Sequence, residues 1–316
     1  MEKEVNEMGS CQPGYLFLNG RMVPYGEAKV HALIPAMKYG ASVFEGLRAY
    51  WNEGEQQLYI FRLEAHTRRL HQSMKIMRMD FPDSIYHIND DTIAVLGKNQ
   101  IRQDCHIRQL VFVDGAQRAG LTATGPIGIL VAPFPFRRQF PDEGIHCSVS
   151  SWRRISDNSM PPRVKCAANY QNARLSLLQA QLDGYDRTIL LNEAGKVAED
   201  PAACFFMVRD RVSITPSVTS GILESITRAT LIHLFREVQG VEVIQRDIDR
   251  TELYVAEEAF ICGSGAEIAP VISIDRYPVG DGAVGPITRA MRELYFQVVR
   301  GEVPLYQEWR TPVYPS

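Results

Sequence analysis

Short apolar runs alternate along this chain with longer stripes at helical spacing, and the two patterns take turns from end to end. Tyr15-Leu16-Phe17-Leu18 followed by Asn19-Gly20 predicts a strand entering a tight hairpin, because Asn-Gly accepts the positive φ such turns need. A strand is predicted in the second half of Lys38 to Tyr50; Glu53-Gly54 turns the chain, and Leu58 to Phe61 returns it. Leu63, Leu70, Met74 and Met77 share a face of a helix running to Met79. Asn89-Asp90-Asp91 caps a second helix through Gln100. Strands follow at His106–Val113 and Gly128–Val131. Pro133-Phe134-Pro135 is expected to break regular structure.

After this break the pattern starts again. A strand over Ile145–Trp152 precedes a helix from Asn172 to Leu182, with Leu175, Leu178 and Leu182 expected inward and Gly184 as the stop. Strands are expected at Arg187–Leu191 and Lys196–Glu199, then a hairpin of Ala203–Val208 and Arg211–Thr215. A helix lies within Ile222–Val238, a short buried strand at Ala259–Cys262, and a last helix over Pro286–Val299, with proline suited to its first turn. Strands in hairpins with helices between the groups predict an α+β fold. Two domains are expected: a smaller one over residues 1–132, a linker over 133–144, and a larger one over 145–316.

Composition narrows the functional classes. The chain has 316 residues, and a net charge of −3 argues against nucleic acid as a partner. No apolar run is long enough to span a bilayer, and Met1 to Gly9 is polar and acidic, unlike a signal peptide. Cys11, Cys105, Cys147, Cys166, Cys204 and Cys262 form no C-x-x-C pair, so reduced thiols in the cytoplasm are expected. No metal-ligand spacing is present: there is no H-E-x-x-H, and His66 and His71 are badly spaced for one helix face. Neither G-x-G-x-x-G after a strand nor G-x-x-x-x-G-K-[ST] occurs, which excludes the common nucleotide-binding loops.

One stretch suggests chemistry: Pro161-Pro162-Arg163-Val164-Lys165-Cys166-Ala167-Ala168-Asn169-Tyr170. A lysine among small and apolar residues is normally a surface lysine in a loop. Desolvation, however, frees its amine to act as a base and to form imines. Taken singly, each other candidate has an ordinary structural explanation too. Glu199 reads as a solvated turn acid, Tyr170 as a core tyrosine, Arg69 as part of a solvated helix face and Arg108 as a strand arginine facing water. Ser225-Ile226-Thr227-Arg228 opens a helix, whose first N–H groups suit a phosphate.

In combination the segments have a family likeness. Tyr39-Gly40-Ala41-Ser42-Val43-Phe44-Glu45-Gly46-Leu47-Arg48, Val149 to Trp152, Lys165 to Tyr170, Leu223 to Arg228 and Cys262 to Pro270 occur in the order seen in one group. From about Tyr15 to the last helix, the chain resembles the branched-chain amino acid aminotransferases. These are fold-type IV enzymes with the two-domain D-amino acid aminotransferase-like fold, dependent on pyridoxal 5'-phosphate (PLP). The resemblance implies that Lys165 forms an imine with the cofactor aldehyde and later moves the substrate's α-proton. It implies that Glu199 pairs with the pyridinium nitrogen and that Tyr170 bonds the cofactor's phenolic oxygen. By the same resemblance, Arg69, Ile226, Thr227 and Ser264 are expected to hold the phosphate, and Ser264 and Gly265 also to meet the substrate α-carboxylate. The resemblance also implies that Tyr39 and Phe44 line the side-chain pocket and that Arg108 meets the second carboxylate of glutamate.

The implied activity is ping-pong transamination of leucine, isoleucine and valine with 2-oxoglutarate. The implied partners are small amino and 2-oxo acids and at least one further copy of the chain, with a partner loop within Asp114 to Leu121. The chain departs from the family pattern at several places. Asp200 replaces a small residue beside Glu199, Ser225 stands where glycine is common, His106 replaces a common tyrosine, and Arg137-Arg138 follow Phe134-Pro135-Phe136. These changes leave two alternatives open. One is a same-fold transaminase shifted towards (R)-amines or D-amino acids; the other is a PLP-binding protein impaired by Asp200 and Ser225.

Overall fold

A computed structural model describes residues 12–116, 120–135 and 138–315. They form two compact units. The first comprises Met1–Arg137, Val164–Ala168 and Val298–Ser316, and the second Arg138–Arg163 and Asn169–Gln297. This division is more interleaved than the single crossing expected at 133–144.

The first unit is built on a seven-stranded sheet of order β15-β4-β3-β5-β6-β1-β2. Its strands are β1 (Tyr15–Leu18), β2 (Arg21–Pro24), β3 (Ser42–Asn52), β4 (Gln57–Phe61), β5 (Cys105–Val113), β6 (Ile127–Pro135) and β15 (Arg310–Pro312). All neighbours are antiparallel. Asn19 and Gly20 take φ of 48° and 81°, the conformation the hairpin between β1 and β2 requires. Helices α2 (Leu63–Ile76) and α3 (Ile88–Asn99) pack on the sheet, and the short α1 (Pro35–Tyr39) leads into β3.

Two expectations change here. Pro133-Phe134-Pro135 does not break the strand: it completes β6, opposite Ile107, His106 and Cys105 of β5. On its other side β6 pairs with β1 only at Leu130 and Val131, so the prolines sit where no N–H is needed on that edge. The second change is at α3, which starts at Ile88 with no side-chain cap rather than at an Asn89-Asp90-Asp91 cap.

The second unit holds a sheet of order β11-β10-β9-β12-β13-β7-β8. Its strands are β7 (Ile145–Arg153), β8 (Arg187–Leu191), β9 (Cys204–Arg209), β10 (Val212–Thr215), β11 (Val243–Gln245), β12 (Glu258–Gly263) and β13 (Glu267–Ile274), with β14 (Tyr277–Pro278) on β13. Helices α4 (Tyr170–Leu182) and α5 (Ile226–Leu234) belong to it, as does most of α6 (Pro286–Arg300). Hairpins dominate, in keeping with an α+β fold. β7–β8, β13–β7 and β10–β11 nevertheless run parallel, and α4 is the crossover between β7 and β8. Strand alternation sends Phe205, Met207 and Ile261 into one core. On the opposite face Phe206 stacks on Phe260 at 4.9 Å, with Phe235 beside them.

Helix α4 corrects a third expectation. Its buried side chains are Ala173, Ser176 and Ala180, while Leu175, Leu178 and Leu182 are 41%, 42% and 88% exposed. Small residues let the helix lie close on β7 and β8, and this closeness outweighs the leucine stripe in setting which face is turned in.

Candidate active site

In the first unit the two faces of β3 and β5 separate the chemistry, because successive side chains on a strand point to opposite faces. Glu45 and Gln109, paired across the strands, face the helices. Glu45 receives Arg69 Nε and Nη2 from α2 at 2.7 Å each, and lies 2.7 Å from His66 Nδ1; Gln109 donates to Thr92 of α3. Burial pushes the Glu45 carboxyl up, but Arg69 and His66 outweigh it and hold the pKa at about 2. Burial pulls His66 below its ordinary value although Glu45 works the other way.

The opposite face carries Phe44, Gly46 and Arg48 of β3 against Leu110, Arg108 and His106 of β5. The segment Val164–Ala168 is strapped along the edge of β3: Cys166 bridges Val43, and Phe44 N–H donates to Lys165 O at 2.9 Å. The Lys165 amine therefore comes within 5.0 Å of the Phe44 ring centroid, and the Arg108 guanidinium lies 4.3 Å from the same ring. Lys165, Phe44 and Arg108 thus form one cluster. Tyr39 is exposed at the end of α1, with the Lys38 amine over its ring at 4.8 Å. Arg69 belongs to the helix face and is engaged by Glu45.

The second unit holds the remaining candidates. Glu199 follows a short pairing of Leu190 and Leu191 with Val197 and Ala198, which fixes its backbone. Its buried carboxylate meets Arg154 Nη2 at 2.8 Å and accepts Leu223 N–H at 3.1 Å, while Arg154 Nε donates to Gly221 O. Asp200, its neighbour, is also buried and turns onto Arg187: Nε donates to one carboxylate oxygen at 2.8 Å, and Nη2 donates to the other. The second carboxylate thus has its own cation. Ser225 is the N-cap of α5 and accepts Arg228 N–H at 3.2 Å. Its hydroxyl satisfies one first-turn donor, and Ile226 and Thr227 supply N–H groups that have no acceptor within a helix. Ser264 and Gly265 lie in the tight connection between β12 and β13, where Gly263 pairs with Glu267. Tyr170 is the half-buried first residue of α4.

Several of these groups escape a reading of the sequence. Arg154 and Arg187 stand in ordinary strand-like runs, and only the fold shows which carboxylate each one meets. Glu45 had a usable signal: a lone acid within Val43-Phe44-Glu45-Gly46-Leu47, which needs a buried cation.

Comparison with known proteins shows the family and the fold. The amino-transferase class IV family matches residues 42–274, and the chain belongs to that family of aminotransferases. Within it, the chain falls among the branched-chain amino acid aminotransferases. It is 40% identical over 301 residues to a probable branched-chain-amino-acid aminotransferase of Aquifex aeolicus, covering 95% of this chain and 97% of that protein. The Thermobaculum terrenum branched-chain amino acid aminotransferase in its PLP form superposes with a TM-score of 0.90 at 44% identity, covering 96% of this chain and 99% of that one. The T.th. branched-chain amino acid aminotransferase complexed with N-(5'-phosphopyridoxyl)-L-glutamate gives 0.91 at 36% identity, covering 96% and 99%. The resemblance seen in the sequence therefore holds for family and fold.

Proposed function

We propose that this protein transfers the amino group between branched-chain L-amino acids and 2-oxoglutarate with PLP as cofactor. The observation that carries this is the Lys165–Phe44–Arg108 cluster, which sets an amine, an apolar wall and a cation on one sheet face. An apolar side chain and a side-chain carboxylate each find a matching group there. The branched-chain aminotransferase relatives, and the PLP and phosphopyridoxyl-glutamate forms of their structures, support the same assignment.

The residues fit PLP. The α5 start, with Ser225 already serving the Arg228 N–H, offers Ile226 and Thr227 N–H groups to a phosphate, and Ser264 and Arg69 are assigned to it as well. Tyr170 is assigned to the phenolic oxygen. Glu199, kept in place by Arg154 and Leu223, is assigned to the ring nitrogen, where a carboxylate favours the protonated form. When bound, PLP supplies the aldehyde that captures amines and the ring that takes up an electron pair. Lys165 Nζ would take the proton from the substrate α-carbon and hand it on to the carbon that had carried the cofactor's aldehyde oxygen. Gly265 and Ser264 orient the α-carboxylate, Tyr39 and Phe44 exclude water from the alkyl chain, and Arg108 receives a side-chain carboxylate.

Nothing in the geometry favours the impaired-binder alternative. Asp200 is neutralised by Arg187, and Ser225 is a helix cap. The relatives favour branched-chain substrates over (R)-amines or D-amino acids.

We assign the protein to the cytoplasm as at least a homodimer. The described cysteines Cys105, Cys147, Cys166, Cys204 and Cys262 are free thiols, and no helix among the described residues is long and apolar enough to cross a membrane. The exposed leucine face of α4 supports assembly with a further copy. The expected partner loop, Asp114 to Leu121, includes 117–119, which lie outside the described residues.

The test is the half-reaction of the yellow holoprotein. L-Leucine, L-isoleucine, L-valine and L-glutamate are each expected to discharge the cofactor's absorbance, whereas D-alanine and (R)-1-phenylethylamine are not. Absence of reaction with all three branched-chain amino acids rejects the assignment.

A further inference from the structure

His106 departs from the family pattern, and its surroundings give the departure a meaning. It stands on β5 in the same row as Arg48 of β3 and Phe134 of β6, one row from Gly46 and Arg108. Its ring lies across β3: a Cβ built on Gly46 would meet His106 Cε1 at 2.9 Å and Nε2 at 3.0 Å. The bare glycine is what gives the imidazole room on this face. The charged and titratable groups acting on it include Arg108 on its own strand, Arg48 on β3, Lys165 on the strap and His66 on α2; its β6 neighbour, Phe134, carries no charge.

We propose that His106 determines specificity by coupling proton uptake to the binding of a substrate's second carboxylate on the Phe44–Arg108 face. This rests on the transaminase reading above and deepens it. Burial, and then the positive charges of Arg108, Arg48 and Lys165, push His106 well below its ordinary pKa, so near neutral pH the imidazole is uncharged. A leucine-like side chain changes none of those charges. A carboxylate beside Arg108 offsets one of those positive charges, and the imidazole takes a proton from solvent that it releases when the ligand leaves. No other bond is made or broken.

The sign of the pH effect follows. The pKa of His106 is low in the unliganded site and higher with the dicarboxylate bound. Dicarboxylate affinity therefore rises as pH falls between those two values and is flat outside them. Within that window the change is up to roughly tenfold per pH unit, while affinity for an apolar monocarboxylate does not change through this group. A neutral imidazole next to an arginine also leaves the alkyl chain an uncrowded, less polar neighbour than an imidazolium.

Calorimetry on the holoenzyme tests this with two unreactive probes, glutarate and 4-methylpentanoate, each titrated in buffers of different ionisation enthalpy from pH 6 to 9. The difference between buffers counts protons taken up without any turnover. Glutarate is expected to bind with more proton uptake than 4-methylpentanoate, and the excess is expected to vanish in both His106→Gln and His106→Tyr; the second variant keeps a ring on the sheet. Equal uptake by the two probes overturns the proposal, as does an excess that survives in either variant. If 4-methylpentanoate binds and L-leucine is turned over while the excess is absent, only the proton coupling fails. If neither probe binds and no branched-chain amino acid reacts, the transaminase reading fails and the coupling with it.

Discussion

The two faces of β3 and β5 use the same strands for opposite electrostatics. On the helix face one carboxylate, Glu45, gathers Arg69 and His66. On the other face Arg48, Arg108 and Lys165 surround Phe44 and His106. A histidine sits on each face, and burial lowers both. Cations push both further down, Arg69 and Lys165 acting on His66 and Arg108, Arg48 and Lys165 on His106, but Glu45 pulls His66 back. The difference teaches that a buried ion cluster becomes a binding surface when its anion is left for a ligand to supply. When the protein supplies the anion itself, as Glu45 does for Arg69, the cluster also holds the fold together.

The largest break in this comparison is Lys165→Ala. It is expected to abolish the borohydride-trappable link to the cofactor and to lower turnover by at least ~10²–10⁴-fold. Peptide mapping after reduction, together with single-turnover rates, checks both.

Next is Glu45→Gln, on the structural face. Removing one member of a buried ionic network leaves Arg69 uncompensated, and a loss of about 3–5 kcal/mol in unfolding free energy is expected at pH 7. The folded pKa of about 2 lies below the ordinary 4.5, so the stabilisation is present above about 4.5 and is lost as pH falls towards 2. Urea midpoints of the two proteins should accordingly converge on acidification across that range. A gap that does not change with pH would place the effect elsewhere.

Arg108→Met sharpens the contrast on the binding face. Losing a charge-assisted contact worth about 1.5–3 kcal/mol should raise KM for 2-oxoglutarate roughly 10- to 100-fold, with KM for L-leucine nearly unchanged. Parallel loss for both substrates would show that Arg108 shapes the site instead of reading a carboxylate.

The smallest effect is expected from Gly46→Ala. The new methyl group meets the His106 ring at about 3 Å, so the imidazole must shift, at a cost of about 1 kcal/mol in stability. The dicarboxylate is expected to be disfavoured over leucine, a bias that competition between L-glutamate and L-leucine in the half-reaction measures.

Much of the fold was legible from local pattern. The Asn19-Gly20 hairpin, the helix opening at Leu63 and the strands β5, β8, β9 and β10 each follow from spacing and turn chemistry acting within a few residues, whereas the strand expected at Lys196–Glu199 forms only isolated bridges. Three elements were not. The leucines of α4 have the right period for an inward face, but the sheet beneath accepts only Ala173, Ser176 and Ala180. Pro133 and Pro135 suggest a break until it is known that β6 has an unpaired edge there. The return of residues 298–316 to the first unit depends on β15 finding β4, a pairing of distant segments.

The residue types and their order were therefore enough to determine the family, the cofactor chemistry they imply and the candidate groups from Tyr39 to Gly265. Partnership was decided in three dimensions. Arg154 goes to Glu199, Arg187 to Asp200 and Arg69 to Glu45, while Arg108 goes to Phe44. The physical reason is that charge and hydrogen bonding act across a few ångströms of space, whereas sequence patterns act along a few residues of chain. Side chains 13 or 24 positions apart meet only after the strands have paired and the helices have docked.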